Sequence, residues 1–284
     1  MRWMLLMMCL FASLAQALDY HLQPRQIADG VWLLEGSTDN FAVENGGNIV
    51  NIGFIETADG VVVIDTGPSR RFGEALRQSI EKTTGKPVVR VLLTHHHPDH
   101  VLGNQAFADA PIAALPETTR LLAEQGDAMA ENMYRLVGDW MRGTEVVLPT
   151  EEIQEGVLAI GDRRLQLLAL RGHTGADLAI LDERTGVLFA GDVLFYQRAL
   201  TTPNSPGLDV WLAALERLEA LPWKLFRISL IGWQLPVGAA ALALAAWPVV
   251  GEALGWLKLL NVLGGFLALA TLPWPSANDS GARA

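Results

Sequence analysis

The chain nearly lacks cysteine: among its 284 residues the only one is Cys9. That excludes an intramolecular disulfide, a thiolate metal cluster and a thiol nucleophile in the body of the protein. Grouped positive charge is lacking too, because 21 Lys and Arg stand against 31 Asp and Glu, for a net charge of −10, with no run of five basic residues. Phosphate backbones are held by clustered Lys and Arg, so a nucleic-acid-binding surface is not expected. Charge of either sign almost vanishes near the end, where residues 228–284 hold only Glu252, Lys258, Asp279 and Arg283. The whole negative excess therefore lies ahead of residue 228. A mean hydropathy of +0.25, with half of the residues apolar, excludes a disordered chain and is sufficient for a large core.

Both ends carry apolar runs. Residues 1–17 open with Met1-Arg2, continue as an apolar stretch over 3–14 and close on Ala15-Gln16-Ala17, the pattern of a secretory signal peptide with cleavage ahead of Leu18. The stretch is short of the roughly 20 residues that cross a bilayer, which argues for removal over anchoring. Met8 ahead of Cys9 is too large for a lipoprotein signal. Residues 228–251 carry no charge and as a helix would reach about 36 Å, enough for a membrane span. A shorter uncharged run follows at 259–274, and Trp233, Trp247, Trp256 and Trp274 sit near the run ends, where indoles favour the headgroup level. Gln234, Pro236 and Pro248 speak against a span, and an aberrant terminus is the competing reading. The chain thus divides into a signal at 1–17, a domain at 18–227 and an apolar tail at 228–284, with membrane association through 228–274 as an expectation.

Periodicity within the domain predicts strands at 31–34, 48–55 and 60–65, and a helix at 71–84 with Phe72, Ala75, Leu76 and Ile80 on one face. A buried strand at 88–93, a helix at 101–107 and one or two helices at 117–142 follow. Further strands are expected at 164–170, 176–181 and 187–190, and a helix at 209–221. Strand, helix, strand in this order predicts a layered α/β domain. Met129, Met133, Tyr134, Trp140 and Met141 read as a helical stripe packed on the sheet, with a lid over an apolar substrate as the alternative.

The chemistry concentrates after the strand at 88–93. Four of the six histidines, His95, His96, His97 and His100, lie with Asp99 in Thr94-His95-His96-His97-Pro98-Asp99-His100. Open α/β sheets bind ligands at the carboxyl ends of their strands, and imidazole and carboxylate are donors that Zn2+ takes. A compact turn can aim alternate side chains at one ion and the others at a second. His173 in Gly172-His173-Thr174-Gly175, Asp192 in Gly191-Asp192 and Asp65 in Ile64-Asp65-Thr66-Gly67 also end predicted strands.

In this order, His95-x-His97-x-Asp99-His100, Gly172-His173 and Gly191-Asp192, with the early Asp65, resemble the motifs of the metallo-β-lactamase fold hydrolases over about residues 27–225. More closely, residues 18–225 are similar to the periplasmic zinc metallohydrolases associated with quinoprotein dehydrogenase relay systems. The resemblance implies an α/β fold built as an αβ/βα four-layer sandwich with two zinc ions. One ion would be held by His95, His97 and His173, the other by Asp99 and His100, with Asp192 bridging and Asp65 orienting a ligand. It implies a periplasmic hydrolase in which a metal-bound hydroxide attacks a carbonyl ester, thioester, lactone or amide of a small-molecule substrate. Asp99 and Asp192 would take part in catalysis, and His96 would stand apart. In that family a further metal-ligating histidine follows the helix equivalent to 209–221, whereas no histidine here follows His173. The departure predicts a sandwich incomplete at its C-terminus, without its last strand and helices, and a weakly held second zinc. Two other functions fit the same residues: a metal-binding protein of the relay without turnover, and an iron-dependent oxygen-using enzyme, since iron accepts the same donors.

Overall fold

A computed structural model describes residues 18–195, 199–221 and 225–226, all within one compact unit. Its first sheet has β1 (Arg25–Ala28), β2 (Val31–Leu34), β3 (Ile52–Glu56), β4 (Val61–Ile64), β5 (Val88–Leu92), β6 (Ile112–Ala114) and β7 (Glu151–Glu152) side by side in chain order. Pairing is antiparallel from β1 to β4 and parallel from β4 to β7. The second sheet holds β8 (Gly156–Ile160), β9 (Arg163–Leu170), β10 (Asp177–Asp182), β11 (Val187–Phe189) and β12 (Leu225–Phe226), again in chain order, with β11 and β12 parallel.

Side chains alternate between the faces of a strand, and each buried strand divides them between two apolar clusters. Val61 and Val63 join one cluster, with Phe72, Leu76 and Ile80 of α1 (Arg70–Thr84). Val62 and Ile64 turn the other way, to meet Leu165, Leu167, Leu178, Ile180 and Val187 of the second sheet. Leu168, Leu170, Ala179, Leu181 and Leu188 fill a third cluster, with Trp211, Ala214 and Leu218 of the helix Leu208–Glu219. Three interfaces between four layers make the expected αβ/βα sandwich. α1 follows from its ends as well as its face: Ser69 caps it by accepting the Phe72 N–H, and Gly85 ends it at φ 65°.

Short α2 (Pro98–Val101) starts at the proline, and α3 (Pro116–Val137) runs unbroken into a tight 3-10 turn at Gly138–Met141; the helix Leu208–Glu219 is α4. Met133, Trp140 and Met141 are buried against the first sheet, while Tyr134 is half exposed. Trp140 Nε1 donates to the Val43 carbonyl at 2.8 Å, so this stripe packs and does not form a lid. Three sequence-based expectations change. The strand expected from residue 48 begins only at Ile52, because Asn48 and Asn51 bond instead to the loop at Gly36 and Ser37. The helix expected over 101–107 is a 3-10 turn at Asn104–Phe107 after the short α2. The expectation that the strand after 209–221 is missing is also corrected, since Leu225 and Phe226 pair with Val187 and Leu188. Among the described residues no helix is long and apolar enough to cross a membrane; the signal at 1–17 and the tail at 228–284 lie outside them.

Opposite the site edge, Arg163 joins the two sheets. Its guanidinium donates to Asp182 at 2.9 Å, to the Asp29 carbonyl at 2.7 Å and to the Glu56 carbonyl at 3.0 Å. Both charged side chains are almost wholly buried, so removing one strands the other. Asp182→Ala is expected to destabilise the fold by about 3–5 kcal/mol in urea denaturation, whereas Arg164→Ala, which breaks the exposed pair with Glu183, should cost under about 1 kcal/mol.

Candidate metal centre

Strand direction gathers the site. β9 and β11 point the same way because β10 lies antiparallel between them, so the segments after Leu170 and Phe189 emerge at one edge. β4 and β5, parallel in the other sheet, deliver Asp65 and the loop from Thr94 to His100. Leu178 N–H donates to the Thr94 carbonyl at 2.7 Å and joins the two sheets there. Gly191, at φ 53°, lets the chain turn close against Thr94, where a Cβ would lie 3.0 Å from that residue's own Cβ. Asp192 follows directly.

Two groups of donor atoms result, each within 4.8 Å: His95, His97 and His173, and His95, His100 and Asp192. His173 Nε2 lies 2.8 Å from His97 Nδ1. The two Asp192 oxygens face different groups, Oδ1 at 3.4 Å from His100 Nε2 and Oδ2 at 3.6 Å from His173 Nε2. Asp99 is outside both groups, with its carboxylate 3.9 Å from His100 Nε2. His96 is outside both groups as well, buried with its ring centroid 6.4 Å from that of His95.

The hydrogen bonds decide which ring nitrogens are bare. Asp65 accepts the Thr94 N–H at 2.7 Å and the Thr94 hydroxyl at 2.8 Å. That hydroxyl, its own proton already donated, accepts from His95 Nδ1 at 3.0 Å. Asp65 also accepts from His100 Nδ1 at 2.8 Å, and the Thr201 carbonyl accepts from His173 Nδ1 at 3.0 Å. Each of these three rings carries its proton on Nδ1 toward the protein and presents Nε2 to the centre. His95 Nε2, His100 Nε2 and Asp192 Oδ1 are buried without a hydrogen-bond partner. Buried polar atoms without partners are costly, about 1–3 kcal/mol each, and a cation among them, taking the place of any proton on His100, removes that cost, so the donor set fits a metal. Asp65 reaches its partners from a left-handed backbone, φ 64°, a conformation that costs a non-glycine residue on the order of 1 kcal/mol.

Electrostatics point the same way. Burial, reinforced by His100 and the other rings, holds His95 well below the usual imidazole range; burial with His173 pushes His97 down to about 3, and burial lowers His173. His96 falls to about 4, again through burial. His100 is the exception: burial opposes its charge, but the Asp192, Asp65 and Asp99 carboxylates outweigh it and raise the ring well above its ordinary value. Burial would raise Asp192, yet His100 draws it down to about 2. His95, His97 and His173 are thus kept neutral, the state in which an imidazole binds a cation, whereas His100 holds a proton that an ion would have to displace. Phe195 and Trp211 flank the His173 ring at 5.5 and 5.8 Å between centroids. His97 is the least buried histidine of the groups and Asp192 is 9% exposed, so the centre opens to solvent on their side.

The sequence-based site residues are thus brought to one edge, Asp99 more loosely than the rest. Thr94 and the Thr201 carbonyl were not foreseen. Thr94 stood in the motif, but nothing in its position showed that its hydroxyl orders two histidines.

Comparison with known proteins bears on the family and the fold. A family model described as the Metallo-beta-lactamase superfamily matches residues 45–225. The human acyl-coenzyme A thioesterase MBLAC2 is 25% identical over 207 residues, covering 63% of this chain and 68% of its own. A hydroxyacylglutathione hydrolase from Albidiferax ferrireducens is 30% identical over 167 residues, 57% of this chain and 53% of that one. Among solved structures, a metallo-beta-lactamase from Pontibacter korlensis superposes with a TM-score of 0.62 at 22% identity, covering 79% of this chain and 98% of the other.

In equilibrium metal titration, His173→Ala is expected to lose far more affinity than His96→Ala. Thr94→Val, which keeps every donor but frees the His95 ring, should lower affinity about 10–100-fold. A greater loss in His96→Ala would remove the assignment.

Proposed function

The chain belongs to the metallo-beta-lactamase superfamily, and from that premise we propose that it is a zinc-dependent hydrolase of thioesters or related carbonyl esters, lactones or amides in small molecules. The observation that carries the reading is the convergence of bare, buried Nε2 atoms of His95 and His100 with Asp192 Oδ1. Both curated relatives are named for substrates that are thioesters, which favours that bond among the four.

His95, His97 and His173 would hold one ion, and His100 with Asp99 and Asp192 a second, more weakly. Zinc supplies Lewis acidity toward a carbonyl oxygen and acidifies water that it contacts. The chain's own residues do the rest. Asp192 faces both donor groups with separate oxygens and ties them together. Asp99, 7% exposed and 3.9 Å from His100 Nε2, would accept a proton from attacking water and return it to the leaving group. Asp65 and Thr94 fix the tautomers of His100 and His95, and Phe195 and Trp211 back His173, so the rings do not reorganise as charge develops. A periplasmic location is part of the proposal through the leader-like residues 1–17. Coupling to a quinoprotein dehydrogenase system rests on the likeness of residues 18–225 alone.

The absence of histidine after His173 favours one second reading, a metal-binding protein without turnover. Metal analysis of the purified chain with a screen of acyl thioesters, esters, lactones and amides separates the two. Bound zinc with turnover supports the hydrolase, and one tight ion with no turnover supports the binder. Iron with oxygen uptake would contradict both. Asp192→Asn is expected to keep the fold by circular dichroism and to lose turnover by at least about 100-fold; unchanged hydrolysis would take Asp192 out of the reaction. Mild chelation should abolish activity before the tighter ion is stripped, as read by residual metal content.

A further inference from the structure

We propose that Asp177 is the positioning residue that holds His173 in the metal centre, an inference that rests on the metal reading above. His173 lies in the turn between β9 and β10. Its ring is held at Nδ1 by the Thr201 carbonyl, and its backbone is held by Asp177, the first residue of β10, 3% exposed. The Asp177 carboxylate accepts the Thr174 N–H with both oxygens, at 3.1 and 3.0 Å, and the Thr174 hydroxyl at 2.7 Å; the Gly172 N–H also turns toward it. The turn is tightened further by Gly172 N–H donating to the Thr174 carbonyl at 3.1 Å and by Ala176 N–H donating to the Thr174 hydroxyl oxygen at 3.2 Å. One carboxylate thereby fixes the residue after His173, and the Gly172–Thr174 bond closes the turn around the histidine.

The next residue extends the effect across the sandwich. Leu178 N–H bonds the Thr94 carbonyl at 2.7 Å, and Thr94 precedes His95. The first two residues of β10 therefore set the His173 half of the donor group through a side chain, and its spacing from the His95 half through the backbone. A purely structural turn has little need of a charge here, because the hydrogen-bond partners of Asp177 are neutral and a serine or asparagine closes such turns without it. Burial pushes the Asp177 carboxyl up to about 6, against the pull of Thr174 and Gly172. A cation held by His173, four residues away in the same turn, would offset part of that cost.

The test is an equilibrium Co2+ titration of the full chain followed by d–d absorption, with thermal melting of the metal-free forms alongside. Asp177→Asn places an amide NH2 against N–H donors and should loosen the turn. The expected result is a Co2+ affinity reduced about 10–100-fold, with altered d–d bands as His173 withdraws, beyond what any loss of folded fraction explains. Thr174→Val keeps the carboxylate and removes one donor. It should change affinity in the same direction by less, and it carries the test if Asp177→Asn does not fold. Wild-type affinity and bands in the folded variant, or a loss matching the unfolded fraction alone, would overturn the proposal. Failure of the wild-type chain itself to bind Co2+ would overturn the metal reading and this inference with it.

Discussion

Polar atoms buried together without hydrogen-bond partners are the constraint around which this fold is organised. His95 Nε2, His100 Nε2 and Asp192 Oδ1 have no hydrogen bond in the protein, and each such group costs about 1–3 kcal/mol. The two rings cannot relax by rotating, since each is held from behind on Nδ1, His95 by Thr94 and His100 by Asp65. Asp65 adds backbone strain to reach two of those partners. A chain with marginal net stability tolerates several unfavourable groups at one edge only when the rest of it is well packed, and here three apolar clusters between four layers provide that packing.

The sandwich also explains why the donors come from distant sequence positions. Each sheet contributes strand ends that no short segment could bring together: β4 and β5 from one, β9 and β11 from the other. The first sheet supplies the histidine-rich loop, and the second supplies His173 and Asp192. What must be controlled is the gap between sheets, and the hydrogen bond from Leu178 to Thr94 does so within one residue of both a ligand-bearing loop and Asp177. Packing of Trp211 and Phe195 on the His173 ring removes the freedom that remains.

Much of this was legible in the sequence because its signals were local. The continuous apolar runs of β4 and β11, the mainly apolar β5, the face of α1 and the histidines after β5 could each be read in a short window. The elements that escaped were short or exposed: β7 is two exposed glutamates, β6 three residues, and β8 half exposed. In β1 only Ile27 is buried. The strand misplaced at 48–51 failed because its apolar Ile49 and Val50 are flanked by asparagines whose hydrogen bonds hold a loop. At the site, ligand types were readable from residue chemistry, but the roles of Thr94, Thr201 and Asp177 depend on which ring nitrogen or N–H each meets. No spacing rule encodes that.

The two donor groups are unequal, and the inequality sets an order of filling for the proposed ions. The first group has three imidazoles of which only His95 is shared with the second; the second shares His95 and has Asp192, itself turned partly toward His173. What belongs to the second group alone is His100, with Asp99 near it at 3.9 Å. Two dications about 3.5–4 Å apart repel strongly, and Asp192 is the one carboxylate that faces both donor groups. An ion in the second group therefore meets fewer donors of its own and the field of the first ion at the same time. His100 shows the electrostatic consequence directly: the carboxylates around it hold a proton on the ring, so a second ion has to displace that proton as well. The first group asks for no such exchange, because burial already keeps His95, His97 and His173 neutral. Occupation of the histidine group first, and of the His100 group only at higher metal concentration or higher pH, follows from that difference in protonation.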